Sequence, residues 1–298
     1  MTSNSTVGRF APSPTGALHP GSVLAALASY LDARAAGGRW HVRIDDLDSG
    51  RCRAEAREAI LRGLETLGLH WDGPVQYQSQ RRDVYEQALG ELRAGGLAYP
   101  CGCTRREVAA SGRRGPAGMI YPGTCRKGLP AGRKPRSWRF AVASTRLAFG
   151  DRHAGEQSLC PAEAVGDFVI RRADGLHAYH LAMVLDDAEL GVTDVVRGGD
   201  LLAATFPQLA LQQALGLARP RYLHLPVAVD GRGRKLSKTN GATGVDRRHP
   251  GAVLSAALRL LGQSLPPGPG TPPAAEVLDW ALRHWQPARI PQRSTVPV

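Results

Sequence analysis

A Pro- and Gly-rich run near the N-terminus has the residue types of a phosphate-binding loop. The run is RFAPSPTGALHPGS, residues 9–22, in which prolines fix an extended path while Gly16 and Gly21 permit close backbone approach. It precedes an apolar helical pattern, and free N–H groups at a helix start favour phosphate. His19 can donate a hydrogen bond to a phosphoryl oxygen as charge develops in a transition state. Taken alone, His19 is more often an ordinary surface residue.

A second segment, KLSK at residues 235–238, supplies two cations. Lys235 and Lys238 can stabilise a pyrophosphate leaving group, because phosphoryl chemistry depends on positioning and charge neutralisation. Such a tetrapeptide is common by chance and usually lies on a solvated loop. Its position after a predicted strand at 222–229 strengthens the functional interpretation. Together the two segments predict an ATP site that activates a carboxylate as an acyl-adenylate.

Three of the five cysteines cluster. They are Cys101, Cys103 and Cys125, while Cys52 and Cys160 lie apart. An odd cysteine count argues against a disulfide framework. Three closely spaced thiolates suit tetrahedral Zn²⁺, but no histidine lies between residues 101 and 125 to serve as a fourth ligand. From spacing alone, a zinc site and three reduced cysteines are equally good interpretations.

The elements around these segments alternate between strand and helix patterns. Strands are predicted at 7–11, 40–44 and 75–78, and helices at 22–36, 55–67 and 81–94. This alternation favours an α/β fold with a doubly wound parallel sheet. Ligands of such sheets bind beyond the carboxyl ends of the strands, which is where residues 12–21 would lie.

The amino-acid composition indicates the general class of protein but does not identify its function. The chain has 298 residues, a net charge of +12 and 43% hydrophobic residues, which is ordinary for a globular protein of about two domains. The basic excess is almost entirely arginine, which suits polyanions but equally suits solubility. No transmembrane or secretory pattern is present, so a cytoplasmic protein without membrane contact is expected.

Three motifs together resemble the class I glutamyl-tRNA synthetases. They are RFAPSPTG followed by Leu18 and His19, RIDD at 43–46, and KLSK, and the resemblance covers roughly residues 7–245. More narrowly, the chain resembles the truncated paralogues that modify the anticodon of tRNA(Asp). Ser22 closes the first motif where the full-length enzymes have His or Gly, a cysteine cluster is present, and only 60 residues follow Lys238.

The resemblance implies a Rossmann-like catalytic domain with an inserted zinc module. The implied organisation is a first catalytic half at 1–98, a zinc-binding module at 99–136 within an insertion to about 190, a second half at 191–240 with the KLSK loop, a helical C-terminal domain at 241–286 and a disordered tail at 287–298.

The resemblance also assigns residues to substrates. His19 and Lys238 are the implied catalytic residues. Implied ATP contacts are His19, Gly21, Ser22, Lys235 and Lys238. Implied glutamate contacts are Arg9, Phe10, Ala11, Pro12, Ser13, Asp45, Tyr179 and Arg197. In chemical terms, arginine forks pair with a carboxylate, an aspartate pairs with the ammonium, and a tyrosine hydroxyl orients the substrate.

Two of the implied assignments, Asp45 and Tyr121, involve a side chain that is unusual for its role. The position of Asp45 is usually Glu in the family, so the shorter side chain needs a closer backbone or a bridging water. The resemblance points to Tyr121 as the fourth ligand beside Cys101, Cys103 and Cys125, which leaves no open position and makes the zinc structural. For the pair at 186–187, a structural role is preferred over a magnesium site.

The implied activity has two steps. L-Glutamate and ATP, with Mg²⁺, give glutamyl-adenylate, and glutamate is then transferred to a cyclopentenediol hydroxyl of queuosine in the anticodon stem-loop of tRNA(Asp). A monomer is expected. The alternatives are a short synthetase that charges the tRNA 3′ end, a non-catalytic paralogue that binds tRNA, and a ligase acting on an amine metabolite.

Overall fold

Parallel strands from two separate parts of the chain form the centre of the fold. The computed structural model describes residues 5–48, 50–115, 118–236 and 248–298. Helices and strands are numbered in chain order. In the first parallel unit the order is β1 (Val7–Phe10), β2 (Arg39–Ile44), β3 (Gln76–Tyr77). In the second, β11 (Asp194–Gly198) pairs in parallel with β12 (Arg221–Leu225). The two units meet where the Thr193 N–H donates to the Val7 carbonyl over 2.9 Å.

The remaining strands belong to smaller sheets. These are β4 (Ala98–Cys101), β5 (Arg113–Gly115), β6 (Gly118–Ile120), β7 (Ser137–Phe140), β8 (Leu147–Asp151), β9 (Gly155–Leu159), β10 (Phe168–Arg171), β13 (Val227–Val229) and β14 (Thr295–Pro297). The hairpin β8–β9 extends the second parallel unit, since β8 pairs with β12. Strands β10, β7 and β4 form an antiparallel sheet in that order.

Helices cover both groups of strands. They are α1 (Pro20–Ala35), α2 (Ala54–Thr66), α3 (Arg82–Ala94), α4 (Arg105–Ser111), α5 (Pro161–Ala164), α6 (Tyr179–Glu189), α7 (Thr205–Ala214), α8 (Pro250–Leu260) and α9 (Ala274–His284). Strands and helices alternate from β1 to α3 as predicted. The α/β fold class with an insertion is therefore confirmed.

Helix α1 is the central helix of the main core. Its side chains from Val23 to Ala33 are all buried except Ala25, because the sheet covers one side while α8 and α9 cover the other. A helix that is apolar around most of its circumference is stable only when it is enclosed in this way. The helix ends at Ala35 and is followed by Gly37, whose φ of +68° suits glycine, and a Cβ on Gly38 would lie 2.1 Å from the Thr6 carbonyl oxygen.

The inserted segment packs on a second core. Phe140 and Ile170 of the antiparallel sheet contact Leu89 of α3 and Leu181 of α6. Between β4 and β7 lies a small module that contains α4 and the β5–β6 hairpin. The module thus extends from an independently packed part of the molecule.

The predicted strand at 222–229 is divided. Pro226 has no N–H to donate, and β12 ends before it while β13 begins after it. Only β12 pairs with β11, whereas β13 pairs with β14. The chain therefore changes sheets at Pro226, just before residues 230–236. Among the described residues, no helix is long and apolar enough to cross a membrane.

The prediction of a disordered tail from residue 287 is wrong. Residues 287–289 form a 3₁₀ turn, and β14 pairs in parallel with β13. Ile290 and Val296 are buried in the main core. The short run has too little periodicity to predict a strand, but the exposed edge of β13 supplies the missing hydrogen-bond partners.

We expect Val296→Ala to lower the free energy of unfolding by about 1–3 kcal/mol, because it removes two fully buried methyl groups. Urea unfolding followed by circular dichroism measures this change. Val298→Ala is the matched control, since Val298 is 53% exposed and its change should have little effect. Equal stability of both variants with the wild type would contradict the packing of the tail.

Candidate active site

A cavity of about 390 Å³ opens at the carboxyl ends of β1, β11 and β12, beside the start of α1. This size is ordinary for a small-molecule site. Of the residues predicted to bind glutamate or ATP, those lining it are Arg9, Phe10, Ala11, Pro12, Ser13, His19, Gly21, Ser22, Tyr179, Arg197 and Lys235. Folding thus brings together residues that lie up to 226 positions apart in the sequence.

His19 is held as the N-cap of α1. Its Nδ1 accepts the Ser22 N–H over 3.3 Å, and the Ser22 Oγ accepts the His19 N–H over 2.7 Å. This reciprocal pair is a capping box. Because Nδ1 carries the lone pair, the proton of the neutral ring is on Nε2. A Cβ on Gly21 would lie 3.2 Å from the His19 ring, so glycine leaves room for the ring.

A buried ion network forms one wall of the site. Asp187 accepts from Arg9 through both oxygens, at 3.1 and 3.3 Å, and its Oδ1 also accepts from Arg43 over 2.6 Å. Asp186 accepts from Arg81 over 2.7 Å. The predicted structural role of this aspartate pair is confirmed, since both carboxylates bind guanidinium groups.

Asp45 lies behind the cavity lining rather than in it. Its Oδ1 accepts from Arg43 over 2.8 Å, while its Oδ2 has no hydrogen-bond partner among the described residues. Burial raises the pKa of Asp45 to about 6, although Arg43 opposes that rise. The carboxylate therefore has a free acceptor atom and titrates close to neutrality.

Arg197 and Tyr179 line the cavity opposite α1. Nε of Arg197 donates to Nε2 of His224 over 3.0 Å, and its Nη2 donates to the Thr205 hydroxyl over 2.8 Å. Nη1 of Arg197 is buried and has no hydrogen-bond partner in the part of the chain that the structure describes. Tyr179 begins α6 and is 36% exposed. An unsatisfied buried donor beside an accessible hydroxyl fits a ligand with acceptor oxygens.

Of the KLSK segment, the structure describes Lys235 and Leu236. Lys235 lines the cavity and its Nζ lies 2.5 Å from Asp200. The Leu236 N–H donates to the Ala228 carbonyl, which holds the start of the KLSK segment against β13. Lys238, predicted to be catalytic, lies outside the described residues.

The predicted metal ligands converge in the small module. The sulfur atoms of Cys101, Cys103 and Cys125 lie within 4.8 Å of one another. The Tyr121 hydroxyl is 3.4 Å from the Cys101 sulfur and 3.5 Å from that of Cys103. Burial raises the pKa of the Cys101 thiol, but its hydrogen bonds with Tyr121 and Arg139 outweigh this and lower the pKa to about 7. Four donor atoms thus surround one point away from the cavity.

The same module concentrates positive charge. Residues 101–136 contain nine lysines and arginines against the single acidic residue Glu107. Seven of the nine are exposed and make no ion pair with described residues, namely Arg105, Arg106, Arg113, Arg114, Lys127, Lys134 and Arg136. A surface of this kind attracts the phosphates of nucleic acids.

The partners of the two cavity arginines were not predicted from the sequence. Asp187, which also accepts from Arg43, orients Arg9, whereas His224 and Thr205 hold Arg197. Their pairings span up to 178 residues, so spacing could not reveal them. The RIDD motif and the aspartate pair drew attention to Arg43 and Asp187 but not to their partners, and His224 could have been noticed as a polar residue inside the apolar pattern of β12.

Comparisons with known proteins agree with this geometry. Residues 5–253 match the family model of the class I tRNA synthetases (E and Q), catalytic domain. A protein of Dechloromonas aromatica named glutamyl-Q tRNA(Asp) synthetase is 49% identical over 97% of this chain and 97% of its own length. One of the same name from Bordetella bronchiseptica is 52% identical over 93% of this chain and 89% of its own.

Solved structures give the same fold. A glutamate tRNA ligase from Elizabethkingia meningosepticum, crystallised in complex with its amino acid, superimposes with a TM-score of 0.80 at 26% identity. The match covers 98% of this chain and 66% of that ligase. The resemblance predicted from the three motifs is confirmed: the chain belongs to the class I tRNA synthetases for E and Q, and among them to the glutamyl-Q tRNA(Asp) synthetases.

Proposed function

We propose that the protein activates L-glutamate with ATP and transfers it to queuosine in the anticodon of tRNA(Asp). The observation that carries this proposal is the cavity in which Arg9, Tyr179 and Arg197 face the His19 end of α1. Carboxylate-binding groups and a phosphate-binding helix start thus share one site. The family relatives of nearly equal length support the choice of acceptor.

The first step is an in-line displacement at the α-phosphorus of ATP, which enters with Mg²⁺. An α-carboxylate oxygen of glutamate attacks, the bond to the β-phosphate oxygen breaks, and pyrophosphate leaves. The Nε2–H of His19 donates to the α-phosphoryl oxygen while its negative charge increases. Lys235 and Lys238 neutralise the leaving pyrophosphate.

Glutamate is held at three points. Arg9, oriented by Asp187, and Arg197, with its free Nη1, bind carboxylate oxygens. Asp45, which lies behind the cavity lining, reaches the ammonium from its Oδ2 through a bridging water. The Tyr179 hydroxyl orients the substrate between them.

In the second step a queuosine hydroxyl attacks the acyl carbon of the adenylate. An ester bond forms, AMP leaves with the electron pair of the broken bond, and the hydroxyl proton passes to solvent. The basic module at 101–136 gives the RNA backbone a place to bind. We place the reaction in the cytoplasm, where tRNA and ATP are available, and propose that the protein acts as a monomer.

We also propose that Cys101, Cys103, Tyr121 and Cys125 bind one zinc ion. The convergence of three sulfur atoms and one hydroxyl fits a closed tetrahedral site. When bound, the ion would supply cross-linking of the module rather than chemistry on the substrates.

We expect labelled glutamate to attach to queuosine-bearing tRNA(Asp) whose 3′ CCA end has been removed, and not to the same RNA without queuosine. The measurement is acid-precipitable label in the presence of ATP. Label that requires an intact CCA end would instead identify a synthetase that charges the 3′ terminus. Absence of both label and glutamate-dependent pyrophosphate exchange would identify a protein that only binds tRNA.

We expect kcat/KM for glutamate to fall as the pH drops through about 6, because protonation removes the negative charge of Asp45 from the ammonium site. A pH profile of pyrophosphate exchange measures this. Asp45→Asn should lower kcat/KM at pH 7.5 and should no longer show the decrease below about pH 6. Asp45→Glu should retain both the negative charge and that decrease at acidic pH. An unchanged decrease in Asp45→Asn would assign the titration to another group.

We expect Cys103→Ser to lose bound zinc and to lower the melting temperature, because one of four ligands is removed. Elemental analysis of the purified protein measures the metal. Cys160→Ser is the matched control, since the Cys160 thiol lies outside the cluster, and should retain one zinc per chain. Equal zinc content in the two variants would contradict the site.

A further inference from the structure

A chain of buried polar side chains leads from Arg197 away from the cavity. Nε of Arg197 donates to Nε2 of His224 over 3.0 Å, and Nδ1 of His224 lies 2.6 Å from Oδ2 of Asp151. All three residues are at most 5% exposed. Arg197 and His224 are also direct register partners in the β11–β12 pair, and Asp151 ends β8 on the other side of β12. Three adjacent strands therefore hold these three side chains in line.

The hydrogen bonds determine which atom donates and which accepts at each link between these three side chains. Oδ1 of Asp151 accepts backbone N–H groups of His153 and Ala154, at 3.0 and 2.8 Å. Burial opposes ionisation of this carboxyl, but the hydrogen bond with His224 and these backbone N–H groups outweigh burial and lower its pKa. An ionised carboxylate only accepts, so Nδ1 of His224 must donate to it. Nε2 of the neutral imidazole is then the acceptor that Arg197 requires.

The two cavity arginines differ in how their charge is compensated. Arg9 is paired directly with Asp187. No carboxylate of the described residues lies within 4.0 Å of the Arg197 guanidinium, whose hydrogen-bond partners are the neutral groups of His224, Thr205 and Leu201. Burial accordingly lowers the pKa of Arg197. An aspartate in the place of His224 would neutralise the guanidinium and compete with a substrate carboxylate.

We propose that His224 and Asp151 are positioning residues, which fix the orientation of Arg197 and leave its charge available to a carboxylate of the bound amino acid. His224 separates the buried negative charge from the guanidinium by the width of one imidazole ring. The other groups facing His224 are the aromatic rings of Phe149 and Tyr222 and the Thr205 hydroxyl. This inference rests on the proposed activation of glutamate.

Asp151→Asn tests this series of hydrogen bonds with almost no change in side-chain volume. The amide oxygen of the new asparagine still accepts hydrogen bonds from the backbone N–H groups of His153 and Ala154, so its NH₂ group faces His224. The ring then adopts the tautomer with the proton on Nε2, and that N–H opposes the Nε–H of Arg197. We expect the KM for glutamate in pyrophosphate exchange, measured with tRNA(Asp) present, to rise about tenfold while the KM for ATP stays within about twofold.

Variants of His224 separate orientation from packing. In His224→Gln the amide oxygen can take the place of Nε2 as the acceptor for Arg197, whereas His224→Ala removes it. We expect His224→Ala to raise the KM for glutamate more than His224→Gln does. In the His224→Gln background, Asp151→Asn should add little, because Asp151 acts on Arg197 only through the imidazole.

Asp167→Asn is the matched control, since Asp167 is also buried and accepts both a backbone N–H and arginine, but lies at the antiparallel sheet. It should change stability without changing the KM for glutamate. A folded Asp151→Asn protein with an unchanged glutamate KM, or with equal increases for glutamate and ATP, would overturn the inference. Wild-type protein without glutamate-dependent exchange would overturn the proposed function itself.

Discussion

The carboxylate of Asp187, shared between Arg9 and Arg43, is the interaction on which the site depends. It joins β1 and β2 to α6, which begins more than 130 residues later in the chain. Around it, the guanidinium groups of Arg9, Arg43 and Arg81 face the carboxylates of Asp45, Asp186 and Asp187. Burying such charges is costly, and removal of one partner typically costs about 3–5 kcal/mol. The wall of the cavity is therefore held in one arrangement.

The network also explains why two arginines at one cavity differ in function. Arg9 has a permanent counter-ion, so its orientation is fixed and its charge largely compensated. Arg197 is fixed by neutral acceptors and retains its positive charge. Under the proposed function, an amino acid that carries two carboxylates and one ammonium matches this distribution, with Asp45 as the negative group. Selectivity thus follows from where the protein compensates charge and where it does not.

The cavity and the basic module lie in parts of the fold that pack separately. The cavity lies on the parallel strands and on α1, which the C-terminal helices enclose. The basic module and its cysteine cluster extend from the antiparallel sheet, whose core is formed with α3, α6 and α7. Helix α6 connects the two, because it carries Tyr179 at the cavity and Leu181 in the second core. Under the proposed function, a change in the module would therefore alter RNA binding while leaving activation intact.

The sequence by itself determined the α/β alternation, the His19 loop, the cysteine cluster and the family, because each depends on local pattern or on short motifs. Tertiary structure alone decided the partners of those residues. No local pattern pairs Asp187 with Arg9 or Asp151 with His224, since the partners are 178 and 73 residues apart. The buried tail and the break at Pro226 likewise depend on the edge of β13, which exists only after folding. Motifs identify the reactive groups, whereas the packing of distant strands sets their orientation and charge.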